Sequence, residues 1–183
     1  MSRWLLINGS PRLNGESARI VRMMKMQLDA HHPDIAFVEV EVGRCDIAGC
    51  NGCDYCKTAD ECIIDDDMSQ VIESFQNADR VVLVTPLYFA GVPSQLKALL
   101  DRFQQLYWQY CEDRRAATLP PKRPATLVIV GDGGDPFGYE HAVALVKSAL
   151  AIPGFRVEKV IPLIGVKRLK SADLGDWGDW DHE

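Results

Sequence analysis

The stretch "RVVLVTPLYFAGVPSQLKALLDR", residues 80–102, decides the fold because it contains a strand, a loop and a helix in succession. Residues 80–86 form a short, almost wholly apolar run, which is typical of a strand buried on both faces. From residue 94 onward apolar residues recur at helical spacing, and the pattern predicts one long amphipathic helix over 94–110. A buried strand followed by a helix is part of a βαβ unit, so the stretch predicts a parallel sheet covered by helices.

The same alternation runs along the whole chain. Buried or alternating runs predict strands at 3–8, 35–42, 80–86, 124–131 and 156–165. Helical periodicity predicts helices at 16–30, 67–78, 94–110 and 138–152. We therefore expect one doubly wound α/β domain over residues 1–165, with helices on both faces of a five-stranded parallel sheet. The acidic remainder, 166–183, is expected to be an irregular tail, either solvated or anchored by its tryptophans.

Composition limits the possible functions. The chain has 183 residues and a net charge of −6, which argues against nucleic acid as a partner because phosphate binding needs a basic surface. No apolar run is long enough to span a membrane, and no targeting segment is visible. We expect a cytoplasmic protein, in which disulfides are rare and clustered cysteines more often bind metal or perform redox chemistry.

The loop after the first strand, "NGSPRLNGES" (8–17), has the features of a phosphate cradle. Glycines let backbone N–H groups approach an anion, hydroxyls donate hydrogen bonds, and the following helix N-terminus supplies positive potential. An arginine can pair with phosphate oxygens. The candidate phosphate ligands are Ser10, Arg12, Asn14, Gly15 and Ser17. The alternative is an ordinary strand–turn–helix with a capping serine.

The loops after the third and fourth strands suit a flat ring. Pro86, Leu87, Tyr88, Phe89 and Gly91 bring apolar and aromatic groups together with an accessible backbone. The segment "GDGGDPFG" (131–138), with Gly133 and Gly134, has more glycine than a plain loop needs. Ligands of doubly wound folds sit at the carboxyl ends of the strands, so the three loops predict a mononucleotide site. The alternative is that the two aromatic residues only cover the start of the helix.

The segment "GCNGCDYCKTADEC" (49–62) contains four of the six cysteines, at C-x2-C-x2-C-x5-C spacing. The repeated x2 spacing resembles the ferredoxin run that binds a [4Fe–4S] cluster, and Cys50, Cys53, Cys56 and Cys62 are the candidate ligands. Zinc and a loop without any metal remain open as alternatives. Cys45 and Cys111 lie outside the spacing and are expected to be structural. The acidic run 65–67 is expected to cap the following helix.

These motifs together resemble a known family. "GSPRLNGES" followed by "TPLYFAGVPSQLKALLDR" is similar to the NADPH-dependent FMN reductases of the flavodoxin-like superfamily, and the cysteine spacing followed by "DDDM" resembles their iron–sulfur flavoproteins. The resemblance implies a flavodoxin-like fold with strand order 2-1-3-4-5. It also implies noncovalent FMN, with its phosphate on loop residues 10–17 and its ring between residues 86–91 and 133–134. Glu16 departs from the family pattern, because it brings a carboxylate close to the expected phosphate.

The resemblance implies an FMN-dependent oxidoreductase that uses NAD(P)H as co-substrate to reduce flavin- or quinone-type acceptors. The alternative is an iron–sulfur flavoprotein that relays electrons from ferredoxin to partner proteins, and a binding module without turnover is a third hypothesis. Backbone N–H groups of residues 89–91 are expected to face the reduced ring. The family also implies a homodimer or homotetramer, for which Tyr107 and Trp108 form a candidate surface.

Overall fold

The computed structural model describes residues 2–59 and 61–165. In the described chain the strands are β1 (Arg3–Asn8), β2 (Ala36–Glu41), β3 (Arg80–Pro86), β4 (Arg123–Gly131) and β5 (Phe155–Ile164). The helices are α1 (Glu16–His31), α2 (Cys56–Ala59), α3 (Met68–Gln76), α4 (Ser94–Asp101), α5 (Gln104–Ala116) and α6 (Glu140–Leu150). The acidic tail predicted at 166–183 lies outside the described residues.

All described strand pairs are parallel, and the sheet has the order β2-β1-β3-β4-β5. This confirms the predicted flavodoxin-like, doubly wound sheet. In the sheet, β2 lies on one side of β1 and β3 lies on the other. The topological switch point is therefore between β1 and β3, where Asn8 pairs with Val84. The carboxyl ends of β1, β3 and β4 are therefore neighbours, as a shared ligand site requires.

The alternation of side chains along each strand builds two cores. Leu5 and Ile7 point to the face covered by α3, α4 and α6, whereas Trp4 and Leu6 point to the face covered by α1. Helices on both faces explain why β3 reads as a continuous apolar run, because both sets of its side chains are buried.

The prediction of one helix over 94–110 is wrong, because the structure has two helices there, α4 and α5. At Arg102 and Phe103 the bonding changes to the tighter i to i−3 pattern, with Phe103 N donating to Leu100 O and Leu106 N donating to Phe103 O. Both junction side chains are buried. The Phe103 ring packs edge-to-face on Phe75 at 5.0 Å between centroids, and this burial supplies a physical reason for the break between the two helices.

The remaining predicted elements are confirmed within two residues at each end, and the short helix α2 was not predicted. None of the helices within 2–59 and 61–165 is long and apolar enough to cross a membrane.

Candidate functional site

Loop 1, residues 9–15, joins β1 to α1 and carries several polar side chains. The buried Ser10 hydroxyl accepts a hydrogen bond from Arg12 N at 3.1 Å, and its O–H remains available to donate. Gly15 N donates to Arg12 O at 3.1 Å, which closes the turn directly ahead of α1. A Cβ on Gly15 would lie 3.1 Å from the Arg12 Cβ, so the tight turn favours glycine. Ser17 is buried in the first turn of α1.

The first turn of α1 offers donors for an anion. The N–H groups of Ser17 and Ala18 lie in the first turn of α1, where the helix itself supplies no acceptor. The Arg12 side chain is exposed, and no carboxylate within the described ranges forms an ion pair with it. Asn14 is exposed beside it. The donor set fits a phosphate dianion.

Glu16 does not oppose that anion site. Its two carboxylate oxygens accept hydrogen bonds from Arg19 Nε at 3.1 and 3.0 Å, and the two side chains form an ion pair on the outer face of α1. The pairing raises the pKa of Arg19, chiefly through the hydrogen bond that Arg19 donates to Glu16. The carboxylate that departs from the family pattern is thus compensated by a cation one turn further along the helix.

Loop 3, residues 87–93, contains a strained turn. Tyr88 and Gly91 bond to each other through both backbone groups, at 3.0 and 2.9 Å. The two residues between them, Phe89 and Ala90, have φ values of 50° and 58°. Two successive left-handed residues form a turn of the I′ type, which ordinarily uses asparagine and glycine. The Phe89 side chain is fully exposed (100%), so no burial of that ring offsets the strain.

Loop 4, residues 132–139, is tied to loop 3 by a carboxylate. Asp135 Oδ2 accepts a hydrogen bond from Ala90 N at 2.7 Å, and Asp135 Oδ1 accepts one from Phe137 N at 2.9 Å. Gly91 N already donates to Tyr88 O. The expectation that residues 89–91 all offer N–H groups to a ring is therefore wrong for Ala90 and Gly91, because their N–H groups are used within the protein.

The two predicted glycines of loop 4 differ in what they require. Gly133 has a φ of +86°, and a Cβ there would lie 3.4 Å from the Gly165 backbone at the end of β5. Gly134 has open space around it, with no atom within 4 Å of a built Cβ. A side chain at Gly134 would therefore extend into open space, whereas a side chain at Gly133 would strain the loop itself.

The three loops meet at one edge of the sheet. Gly9 N donates to Val84 O, and Leu87 N donates to Val130 O, each at 2.8 Å. A Cβ on Gly131 would lie 3.4 Å from Leu87 Cβ, so loops 3 and 4 are in contact where they leave the sheet. The structure thus brings the predicted phosphate residues and the predicted ring residues to adjacent strand ends. Residues of this kind fit a phosphorylated, planar cofactor.

The cysteine loop, residues 45–62, leaves β2 at the same edge but carries its thiols elsewhere. The thiol of Cys56 lies 3.8 Å from Gln104 O at the start of α5. The Lys57 ammonium lies 4.6 Å from the centre of the Trp108 ring, which fastens α2 to α5. The thiols therefore lie beside the α4–α5 junction, and the length of α4 separates them from loop 3.

Cys50, Cys53, Cys56 and Cys62 line one cavity, together with Arg102 and Gln104. Its volume is about 30 Å³, which is roughly that of one water molecule. In the described chain no three His, Cys, Asp or Glu side chains are arranged to bind a single metal ion. The donor chemistry of the four thiols suits an iron–sulfur cluster.

Two thiols in this part of the chain, Cys56 and Cys45, have a raised pKa. Burial raises the pKa of Cys56, and the neighbouring thiols of Cys62, Cys50 and Cys53 raise it further. Burial, with Asp67 and Glu41 nearby, also raises the pKa of Cys45. Cys45 packs against the core and its thiol donates to Glu41 O at 3.4 Å, which agrees with its expected structural role.

Sequence reasoning missed a buried ion pair beneath the cysteine loop. Arg102 and Asp66 are 2% and 7% exposed and lie 2.6 Å apart. Burial alone would raise the pKa of Asp66, but hydrogen bonds from Arg102 and from the N–H groups of Met68 and Ala48 hold it below the ordinary value. Asp66 thus accepts a hydrogen bond from Met68 N at the start of α3, as the expected capping role requires, but it also binds Arg102 and Ala48 N. The run of three acidic residues was the only sequence signal for this ion pair, because the partner arginine is 36 residues away from Asp66.

Asn8 and Asp135 were also missed. Asn8 is buried at the end of β1, and its Oδ1 accepts a hydrogen bond from Ser10 N at 3.1 Å, which orients loop 1. Asp135 joins loops 3 and 4 as described above. A polar residue at the last position of a buried strand was the available signal for Asn8.

Comparison with known proteins gives curated relatives that share part of this chain. An iron-sulfur flavoprotein from Methanosarcina thermophila is 34% identical over 98 residues, which are 52% of this chain and 49% of that protein. An iron-sulfur flavoprotein from Archaeoglobus fulgidus is 36% identical over 100 residues, 55% of this chain and 50% of that protein. The chain spans about half the length of these curated relatives.

Solved structures share the fold over a greater length. An azoreductase from Bacillus anthracis superposes with a TM-score of 0.61 at 17% identity, covering 90% of this chain and 88% of that chain. At this identity the likeness shows the common flavodoxin-like fold alone. The model of the NADPH-dependent FMN reductase family matches residues 2–159, which contain loops 1, 3 and 4 and the cysteine loop. The chain therefore belongs to the NADPH-dependent FMN reductase family.

Proposed function

We propose that this protein binds FMN noncovalently at loops 1, 3 and 4 and uses NAD(P)H to reduce a flavin- or quinone-type acceptor. The observation that carries the proposal is the meeting of an anion-binding loop with an open aromatic loop at neighbouring strand ends. When bound, FMN would supply the chemistry by taking two electrons from NAD(P)H and passing them to an acceptor.

The roles of the chain's own residues follow from their positions. Ser10, Ser17 and the first N–H groups of α1 would bind the phosphate, and Arg12 would add a charge-assisted hydrogen bond. Asn14 and Gly15 would shape the turn around it. Pro86, Leu87, Tyr88 and Gly91 would flank one side of the ring, and Gly133 and Gly134 would leave room at the other edge.

The acceptor class is supported by the exposure of loop 3. Tyr88 is 39% exposed and Phe89 fully exposed, so a flat, partly apolar molecule could stack beside the ring from solvent. The Phe89 N–H has no acceptor in the part of the chain that the structure describes, and it is the remaining N–H of the turn that could face a ligand.

An anaerobic reduction experiment tests this proposal. Protein loaded with FMN should lose its visible flavin absorbance within seconds of adding NADPH or NADH, and adding a quinone should restore it. Free FMN at the same concentration is the control for uncatalysed reduction. Flavin that stays oxidised with both nucleotides, yet is reduced by a chemical reductant, would contradict the NAD(P)H-dependent activity.

The second candidate function is an electron carrier that contains FMN and a [4Fe–4S] cluster, reduced by ferredoxin. The observation that favours it is the arrangement of four thiols around one cavity. Rapid reduction by ferredoxin, together with slow reduction by NAD(P)H, would favour the carrier. Iron near zero after anaerobic reconstitution would exclude it.

We also propose a homodimer or homotetramer. Within the described chain no residue of α5 is buried, and the helix carries Tyr107, which is 37% exposed, and the half-buried Trp108. A second copy that covers this helix would remove that apolar surface from water.

A further inference from the structure

Arg102 is a buried arginine that belongs to neither helix. It lies in the turn between α4 and α5 with its side chain 2% exposed, and it lines the same cavity as the four cysteines. Burying a guanidinium is energetically unfavourable unless its N–H groups are hydrogen-bonded, so its hydrogen-bond partners indicate its structural role.

The guanidinium joins the two ends of the cysteine loop. Nη1 donates to Ala48 O at 2.9 Å, just before the first cysteine of the spacing, and Nη2 donates to Ile64 O at 3.2 Å, just after the last. Nη1 also donates to Asp66 Oδ2, which itself accepts a hydrogen bond from Ala48 N at 3.0 Å. One planar fork thus sets the distance between the entry and the exit of the loop.

The Nε–H group of Arg102 takes no part in these hydrogen bonds. Nε is buried without a hydrogen-bond partner in the described chain, although an orphaned charged donor is expensive. Cys62 lines the same cavity as Arg102. A residue that lines the thiol cavity thus carries a buried, unsatisfied donor of the kind that would suit an anionic sulfur.

We propose that Arg102 is the positioning residue of the cysteine site: it fixes both ends of the loop and supplies a hydrogen-bond donor to the sulfur of a thiolate-bound iron centre. The part of the proposal that concerns the iron centre rests on the second candidate function. The part that concerns the ends of the loop rests only on the contacts described above. Because Asp66 balances its charge, Arg102 acts on the cavity mainly as a hydrogen-bond donor. Hydrogen bonds to cluster sulfurs raise the reduction potential.

Two variants separate this role from general stability. Arg102→Lys keeps the charge but cannot satisfy Ala48, Ile64 and Asp66 together. The double variant Arg102→Met with Asp66→Asn removes the charged pair, so that no buried ion lacks its partner. Arg123→Lys is the matched control, because Arg123 also donates to several carbonyls, including Phe75 O at 3.0 Å and Pro153 O at 2.8 Å, with no cysteine nearby.

The measurements are iron per bound FMN after a chelator challenge, the midpoint potential of the iron centre, and amide exchange at Ala48. We expect both Arg102 variants to bind FMN as the wild type does and to lose iron about tenfold or more readily. The potential of the remaining centre should move to more negative values in the double variant. Exchange at Ala48 should become faster. Arg123→Lys should change none of these, even where it lowers the melting temperature.

Each outcome decides part of the proposal. Arg102 variants with wild-type iron retention, potential and Ala48 exchange would overturn it. Loss of FMN in parallel with iron would also overturn it, because that result indicates general destabilisation. Wild-type protein that takes up no iron would overturn the role of Arg102 as a donor to sulfur. In that case, amide exchange at Ala48 would still test whether Arg102 fixes the ends of the loop. Failure of NAD(P)H to reduce the flavin would contradict the enzyme proposal without touching Arg102.

Discussion

Phe89 is a residue whose conformation is unfavourable for the free protein. Its φ of 50° lies in the left-handed region, which residues other than glycine seldom adopt, and its side chain is fully exposed. Left-handed backbone costs roughly 1–2 kcal/mol for a residue other than glycine. Strain of this kind concentrates at ligand sites, which agrees with the position of Phe89 beside the proposed flavin ring.

Phe89→Gly should therefore stabilise the FMN-free protein by about 0.5–1 kcal/mol, because relief of the strain exceeds the added entropy of the unfolded chain. The measurement is urea unfolding of the flavin-free protein. Phe137→Gly is the matched control, since Phe137 is also exposed, at 72%, but is not left-handed, and it should show no gain. A gain of equal size in both variants would contradict the role assigned to strain.

Asp66 should make stability depend on pH. Its pKa is lowered in the folded state, so the carboxylate contributes stability above the unfolded pKa of about 3.9 and loses that contribution as the pH falls through the folded value. Asp66→Asn should lower the free energy of unfolding at pH 7 by roughly 3 kcal/mol, because it leaves Arg102 buried without its counter-ion. It should also flatten the acid limb of the stability curve. Asp101→Asn, an exposed carboxylate paired with Lys97, is the control and should do neither.

At the scale of elements, loop 4 contains one glycine that the loop conformation requires, Gly133, and one that the proposed ligand site requires, Gly134. Gly133→Ala should destabilise the FMN-free protein by about 1–2 kcal/mol, because φ there is +86°. Gly134→Ala should leave that stability nearly unchanged and weaken FMN binding. Unfolding curves and FMN titrations of the two variants provide the comparison. Equal FMN affinity for Gly134→Ala and the wild type would show that the ring does not lie at this edge.

The elements also show what the sequence could predict and what it could not. The strands and most helix bounds follow from local periodicity, which residues 80–86 illustrate. The split between α4 and α5 does not, because neither glycine nor proline marks it. Arg102 and Phe103 contact Asp66 and Phe75, which lie 36 and 28 positions away (102 − 66 and 103 − 75). A local sequence pattern does not reveal tertiary contacts of this kind.

The candidate site divides in the same way. Loop positions follow from the rule that ligands sit at strand ends, so Ser10, Arg12 and Tyr88 could be named from the sequence. The use of Ala90 N by Asp135 could not, because it depends on how loops 3 and 4 pack together. The cysteine spacing predicted that the four thiols group together, but not their position beside α5.

At the scale of the whole molecule, the exposed face of α5 predicts self-association. Tyr107→Glu should shift the sedimentation coefficient toward the monomer, because a charge in an apolar interface is costly to bury. Glu112→Gln, on the same helix and exposed, is the control. A monomeric wild type at micromolar concentration would contradict the proposed homodimer or homotetramer.

The central claim is that loops 1, 3 and 4 form an FMN site in which Arg12 binds the phosphate. The most direct measurement is a titration of flavin-free protein with FMN and with riboflavin, using the wild type, Arg12→Ala and the exposed control Arg115→Ala. We predict one FMN per chain, affinity reduced about tenfold or more by Arg12→Ala and unchanged by Arg115→Ala. Riboflavin, which lacks the phosphate, should bind all three equally. FMN affinity unaffected by Arg12→Ala, or equal affinities for FMN and riboflavin in the wild type, would contradict the account.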